Sequence, residues 1–166
     1  MSDFETTSHE AAQLEALGKQ FFLALEKKDA GDFDGALQEF QAILKVEPRL
    51  AEPRMELARM LLDLDRTQDA EEHARQALED LENHGQWVDT IDENQILALA
   101  HAILAEALRR RVEEDDVIFG DPEQFKALLV ESRTHFNTAS ELDPSDEYSS
   151  YHAFFMGPEE ASKVEV

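Results

Sequence analysis

The sequence predicts an all-α protein assembled from helical hairpins, on three observations. Apolar residues recur at three- and four-residue intervals along most of the chain, no useful stretch alternates with period two, and features of one hairpin reappear 34 residues later. In the first helix, expected over about 8–29, Leu14, Leu17, Phe21 and Ala24 keep helical spacing behind the capping pattern Thr7-x-x-Glu10. Gly31 breaks it, and Phe33 to about Val46 forms the second helix, which Pro48 ends. A third helix over about 51–64 tolerates Pro53 in its first turn, where the missing N–H has no intrahelical partner. Thr67 is expected to cap a fourth helix, with Ala70, Ala74, Ala77 and Leu81 in register until Asn83 and Gly85 stop it.

A loop over 84–91 holds Trp87, and residues 93–111 then give the strongest helical pattern, with Ile96, Leu99, Ala100, Ile103 and Ala107 on one face. The acidic run Glu113–Asp116 is read as a solvated loop. Asp121, Pro122 and Gln124 mark the start of a helix that reaches about Leu142 before Pro144. Ser145 is expected to cap a last short helix, ahead of Gly157-Pro158 and a flexible acidic tail over 157–166.

Composition narrows the function classes. The 166 residues suffice for one domain with an apolar core. No apolar run is long enough to span a bilayer, and the start MSDFETTSHE has neither a basic region nor an apolar one, so a cytoplasmic protein without membrane contact is expected. With no cysteine there is no disulfide, thiol nucleophile or thiolate metal site. The 38 acids against 15 bases give a net charge of −23, which repels phosphate backbones and argues against a nucleic-acid partner.

The repeat is explicit. Ala36 recurs at Ala70, Leu23-Ala24 at Leu57-Ala58, and Ile43 at Ala77, a period of 34 in each case. Phe136, Ala139 and Pro144 repeat the intervals of Phe40, Ile43 and Pro48, with about 20 extra residues inserted in that third copy, whose Leu99-Ala100 is matched to Leu57-Ala58. A hairpin leaves an apolar face that it cannot bury alone, so stacking of about three units is needed. The units are expected at about 14–48, 49–83 and 92–144, with a capping helix over 145–156 and a flexible stretch over 1–7.

On Leu23, Ala24, Gly31, Asp32, Phe33, Ala36, Phe40 and Pro48, the chain resembles the tetratricopeptide repeat family. It departs from the family at Gln20 and Lys27, where large apolar residues are usual, and at Glu82, where Pro48 would repeat. The resemblance implies a superhelix whose first helices line a groove for a protein segment. Carried over by alignment, the groove positions are Phe21, Leu25 and Lys28, then Met55, Arg59 and Leu62, then Asn94, Leu97, His101 and Leu104. Most of these are apolar, which implies an apolar or amphipathic segment oriented by Arg59 or His101. The expected function is a non-catalytic interaction module of adaptor or co-chaperone type. In size and organisation the chain is also similar to the chaperones of type III secretion translocators, and a self-associating scaffold is the third reading.

Other candidate sites are weaker. A calcium loop aligned on Asp32, Asp34 and Gly35 places Ala30 at the first ligand and Gln41 at the last, so two required ligands fail and a helical turn is the better reading. Six histidines include no i, i+4 pair, so no metal is expected. No phosphate loop, nucleophile elbow or triad pattern appears, so neither catalytic residues nor a cofactor are expected. The final helix carries Tyr148, Tyr151, Phe154 and Phe155, expected to cap the solenoid core; a homodimer contact or a groove plug is the alternative.

Overall fold

The computed structural model describes residues 2–88 and 90–155, with side chains over 8–88 and 90–154. Eight helices and no strand occur among the described residues: α1 (Ser2–Asp29), α2 (Phe33–Val46), α3 (Ala51–Asp63), α4 (Thr67–Glu82), α5 (Glu93–Val112), α6 (Asp115–Ile118), α7 (Pro122–Leu142) and α8 (Glu147–Phe155). The all-α expectation holds. The pairs α1/α2, α3/α4 and α5/α7 form three stacked hairpins, α6 is an insertion in the third, and α8 packs on α7. Met156 and the tail over 157–166 lie outside the described residues, as does the side chain of Phe155.

The stretch that could have been a calcium loop is a turn, and the turn repeats. At the end of α1 the Asp32 N–H bonds to the Lys27 carbonyl and the Gly31 N–H to that of Lys28; at the end of α3, Arg66 bonds to Leu61 and Asp65 to Leu62. Gly31 and Asp65 sit in the left-handed region at φ 83° and 59°. This paired return of N–H groups satisfies the last carbonyls of a helix and needs a left-handed residue at that point. Asp32 then caps α2 by accepting from the Gly35 N–H.

Close helix approach rests on small residues. Ala24, Ala36, Ala58, Ala70 and Ala77 are buried, and Phe40 and Phe136 are each fully enclosed at equivalent points of the first and third hairpins. The family's apolar contacts missing at Gln20 and Lys27 are replaced by a polar tie, since both side chains bond to Glu39 of α2, at 3.0 and 2.7 Å. In the second hairpin, Arg54 bonds Asp80 at 2.8 Å and the Pro48 carbonyl at 2.6 Å.

Where a proline would have ended α4, the backbone does so together with the Asn83 side chain, which donates to the Glu79 carbonyl at 2.9 Å. His84 adopts φ 62°, and the Gly85 N–H reaches the Asp80 carbonyl. A Cβ at Gly85 would stand 2.1 Å from the Arg49 carbonyl oxygen, so only glycine fits.

Several local expectations are corrected. α1 begins at Ser2 rather than near residue 8, so Thr7 lies inside the helix. Thr67 is the first residue of α4 rather than its cap, and its hydroxyl donates to Glu114. Glu114 therefore belongs to a packed junction, and Asp115–Ile118 form a short helix anchored by buried Val117 instead of a solvated loop. At the head of α8, Asp146 rather than Ser145 does the capping, because its carboxylate accepts from the Ser149 N–H.

Candidate partner-binding face

The first helix of each hairpin lies beside the next, and polar bonds tie them edge to edge. Lys28 of α1 bonds Glu56 of α3 at 2.8 Å, Arg110 of α5 donates to the Leu62 carbonyl of α3 at 2.8 Å, and the Tyr148 hydroxyl of α8 donates to Glu106 of α5 at 2.7 Å. Arg59 also reaches Glu56, while Arg109 and Arg110 both bond Glu106. One face thus collects the cations Lys28, Arg59, Arg109 and Arg110 around the carboxylates Glu56 and Glu106. Burial pushes the Glu106 carboxyl up, but the bonds from Arg109, Arg110 and Tyr148 outweigh it and hold it at about 2. Arg59 keeps the most accessible guanidinium of the group, with half its side chain exposed.

The residues carried over from the family divide among several environments. Phe21 and Leu25 are half-buried against the core, Phe21 lying edge-on to Phe40 and Trp87. Lys28 and Arg59 are on the shared face. Met55, Leu62 and Leu104 are in the core, at 3%, 6% and 1% exposure, because the apolar stripes of α3 and α5 are wide enough to be covered on both flanks. Asn94 is exposed at the start of α5, and Leu97 lines a recess beside Leu81 and Ile91 under the 84–91 loop.

His101 turns away from the shared face and stacks on His135 of α7, with the two Nδ1 atoms 2.9 Å apart. In the same hairpin the Ser132 hydroxyl, four residues before Phe136 as Ala36 is before Phe40, donates to the Ala105 carbonyl, so Ala105 rather than Ala100 meets the middle of α7. The third hairpin is therefore in register about five residues later than the match of Leu99-Ala100 to Leu57-Ala58 implied. That puts Glu106, Arg109 and Arg110 on the shared face.

The histidine pair sets a pH dependence. Burial, reinforced by His135, lowers the His101 imidazole to about 4, and burial lowers His135 as well; Glu131, 3.8 Å from His135 and bonded to Arg75, opposes part of that. A base depressed in the fold is protonated more readily in the unfolded chain. Its contribution to stability is complete above the ordinary 6.5 and is lost as pH falls toward 4. His101→Phe is expected to flatten the decline of stability between these pH values in urea titrations; an unaltered slope would exclude the pair as its source. Among the described residues, no group of three or more His, Asp or Glu side chains could hold a metal ion.

α8 packs through buried Ser149 and through His152, which stacks on Phe136 at 4.9 Å between ring centres, while Tyr148 meets the same ring edge-on. Tyr151 and Phe154 are exposed. No described helix is long and apolar enough to cross a membrane.

Stacked helical hairpins whose first helices share one face define a helical-repeat solenoid. More narrowly, the family model described as Tetratricopeptide repeat matches residues 28–89, so this part of the chain is similar to tetratricopeptide repeats. Among solved structures, the TPR domain of Arabidopsis OM64 has the same fold, with TM-score 0.64 and 14% identity over 87% of this chain and 96% of that domain. The crystal structure of MamA aligns at TM-score 0.40 and 17% identity, over 86% of this chain and 81% of that one, a likeness too loose to weigh. No curated protein sequence matches. Proteins of this family are interaction modules that bind other proteins.

Proposed function

We propose that this chain is a non-catalytic adaptor or co-chaperone, acting in the cytoplasm, that holds one segment of a partner protein against the face shared by α1, α3, α5 and α8. The observation that supports this reading is a cluster of cations: Lys28, Arg59, Arg109 and Arg110 gather there against the carboxylates Glu56, Glu106 and Glu113, in a chain whose formal charge is −23. Such a face attracts a segment of opposite sign. With Met55, Leu62 and Leu104 enclosed in the core, the apolar contribution falls to the half-buried Phe21 and Leu25. The favoured segment is acidic and amphipathic, with carboxylates toward Arg59 and Lys28.

Titration with labelled peptides that alternate leucine with glutamate tests this reading. Binding is expected to weaken with salt and to fall at least ~10-fold, or ~1.4 kcal/mol, in Arg59→Glu. Equal binding of a basic peptide of the same pattern, or indifference to Arg59→Glu, would remove this face as the site.

A further inference from the structure

The insertion in the third hairpin carries the most exposed large apolar side chain among the described residues, Phe119 at 83%, directly after Ile118 at 48%. The turn that holds them is fixed. Val117, 1% exposed, anchors it in the core, the Phe119 N–H bonds the Asp115 carbonyl at 2.9 Å, and the Gly120 N–H reaches that of Val117 at 3.3 Å. A Cβ at Gly120 would stand 2.3 Å from the Asp116 carbonyl oxygen, so only glycine lets the chain turn back toward α7 behind the ring. With Val117 as the anchor, the apolar surface of Ile118 and Phe119 is spare to the fold. The charge beside it is one-sided. Between residues 113 and 126 six acids stand against the single cation Lys126. Asp115, Asp116, Asp121 and Glu123 all lie within four residues of Phe119 along the chain, all are exposed, and none is in an ion pair among the described residues. Asp121 caps α7 through the Glu123 N–H, while the arginines that precede the turn are engaged elsewhere, Arg109 with Glu106 and Glu113 and Arg111 with Glu71.

We propose that this turn is a docking point for a basic amphipathic segment of another protein, which lays apolar side chains on Ile118 and Phe119 and sets Lys or Arg beside Asp115, Asp116 and Glu123. Charge complementarity selects this occupant. A second copy of the chain, at −23, is repelled overall, whereas a cationic segment is drawn in by the whole body and meets carboxylates with no ion-pair partner among the described residues. An arginine of that segment can also stack on the ring of Phe119, which adds attraction that a carboxylate-bearing segment lacks. The docking point uses none of Lys28, Arg59, Arg109 and Arg110, takes a partner of opposite sign, and does not rest on the reading of their face.

Titration of the full chain with two labelled peptides of equal charge, one alternating arginine with leucine and the other arginine with serine, is the test, read by fluorescence anisotropy. The leucine peptide should bind more tightly. Phe119→Ser should weaken it at least ~10-fold, toward the level of the serine peptide, and leave the unfolding midpoint in place because the ring stands in solvent. Asp115→Asn/Asp116→Asn should weaken it as well and flatten its salt dependence. Glu10→Gln/Asp34→Asn removes the same charge from exposed positions elsewhere and should leave binding nearly unchanged. Arg59→Glu should not weaken this peptide, and the comparison of acidic with basic peptides at the shared face is made in Phe119→Ser, which lacks this docking point. Indifference to Phe119→Ser, equal binding of the two basic peptides, or equal effects of the two charge-removing pairs would each overturn the proposal; the last would assign the binding to the acidic body as a whole.

Discussion

Phe40→Ala lowers the free energy of unfolding by about 3–5 kcal/mol, the cost of removing a large ring from a filled core and leaving a cavity. The ring is fully enclosed, at 0% exposure, and packs edge-on to Phe21 with 5.8 Å between centres. It belongs to the same buried core cluster as Ala24 and Ala36. Since a domain of this size has about 5–15 kcal/mol in hand, the variant approaches the limit of folding. Phe40→Leu keeps most of the volume and should cost less than about 1.5 kcal/mol. Urea unfolding followed by circular dichroism measures both, and similar values for the two variants would mean that the site collapses around the deletion.

Glu52→Ala is expected to lose about 2–4 kcal/mol, from two backbone donors left without an acceptor in a closed site. The Glu52 carboxylate, 7% exposed, accepts from the Trp87 N–H at 2.8 Å and the Val88 N–H at 2.9 Å, so one side chain of α3 fixes the loop between the second and third hairpins. Trp87 is the sole tryptophan, and its native emission reports the loop directly. A red-shifted native emission together with a lower unfolding midpoint is the expected outcome. An unchanged emission maximum would show that the loop is held by Trp87 packing on Phe21 alone. Glu52→Gln retains one accepting oxygen and should recover part of the loss.

The scaffold was legible because its signals are local and repeated. Gly31, Asp32 and Pro48 state where helices stop, Ala24 and Ala36 state where they touch, and a period of 34 repeats the contact residues at Ala58 and Ala70 while the stops give way to Asp65, Arg66 and Glu82. The side chains that join distant segments left no such trace. Nothing near Glu52 announces that it bonds a loop 35 residues on, and the His101–His135 pair spans the two helices of a hairpin, where an i, i+4 search cannot find it. The register of the third hairpin was misjudged for a related reason. α5 has 20 residues against 13 in α3, so the Leu99-Ala100 pair looks like Leu57-Ala58 while Ala105 makes the contact. That shift moved the candidate face from apolar positions to Glu106, Arg109 and Arg110, and with it the chemistry of the expected partner.

The junction around α6 bears on how the molecule comes apart. Thr67 bonds Glu114, Arg111 bonds Glu71 and Arg75 bonds Glu131, so α4 is clasped at several points to the third hairpin, while Lys28–Glu56 links the first hairpin to the second. Repeat arrays open by the balance of each unit's own stability against its joint with the next. The clasp therefore makes the second and third hairpins one cooperative block. In native-state hydrogen exchange, amides of α1 and α2 should open ahead of it, as a separate and less protected foldon.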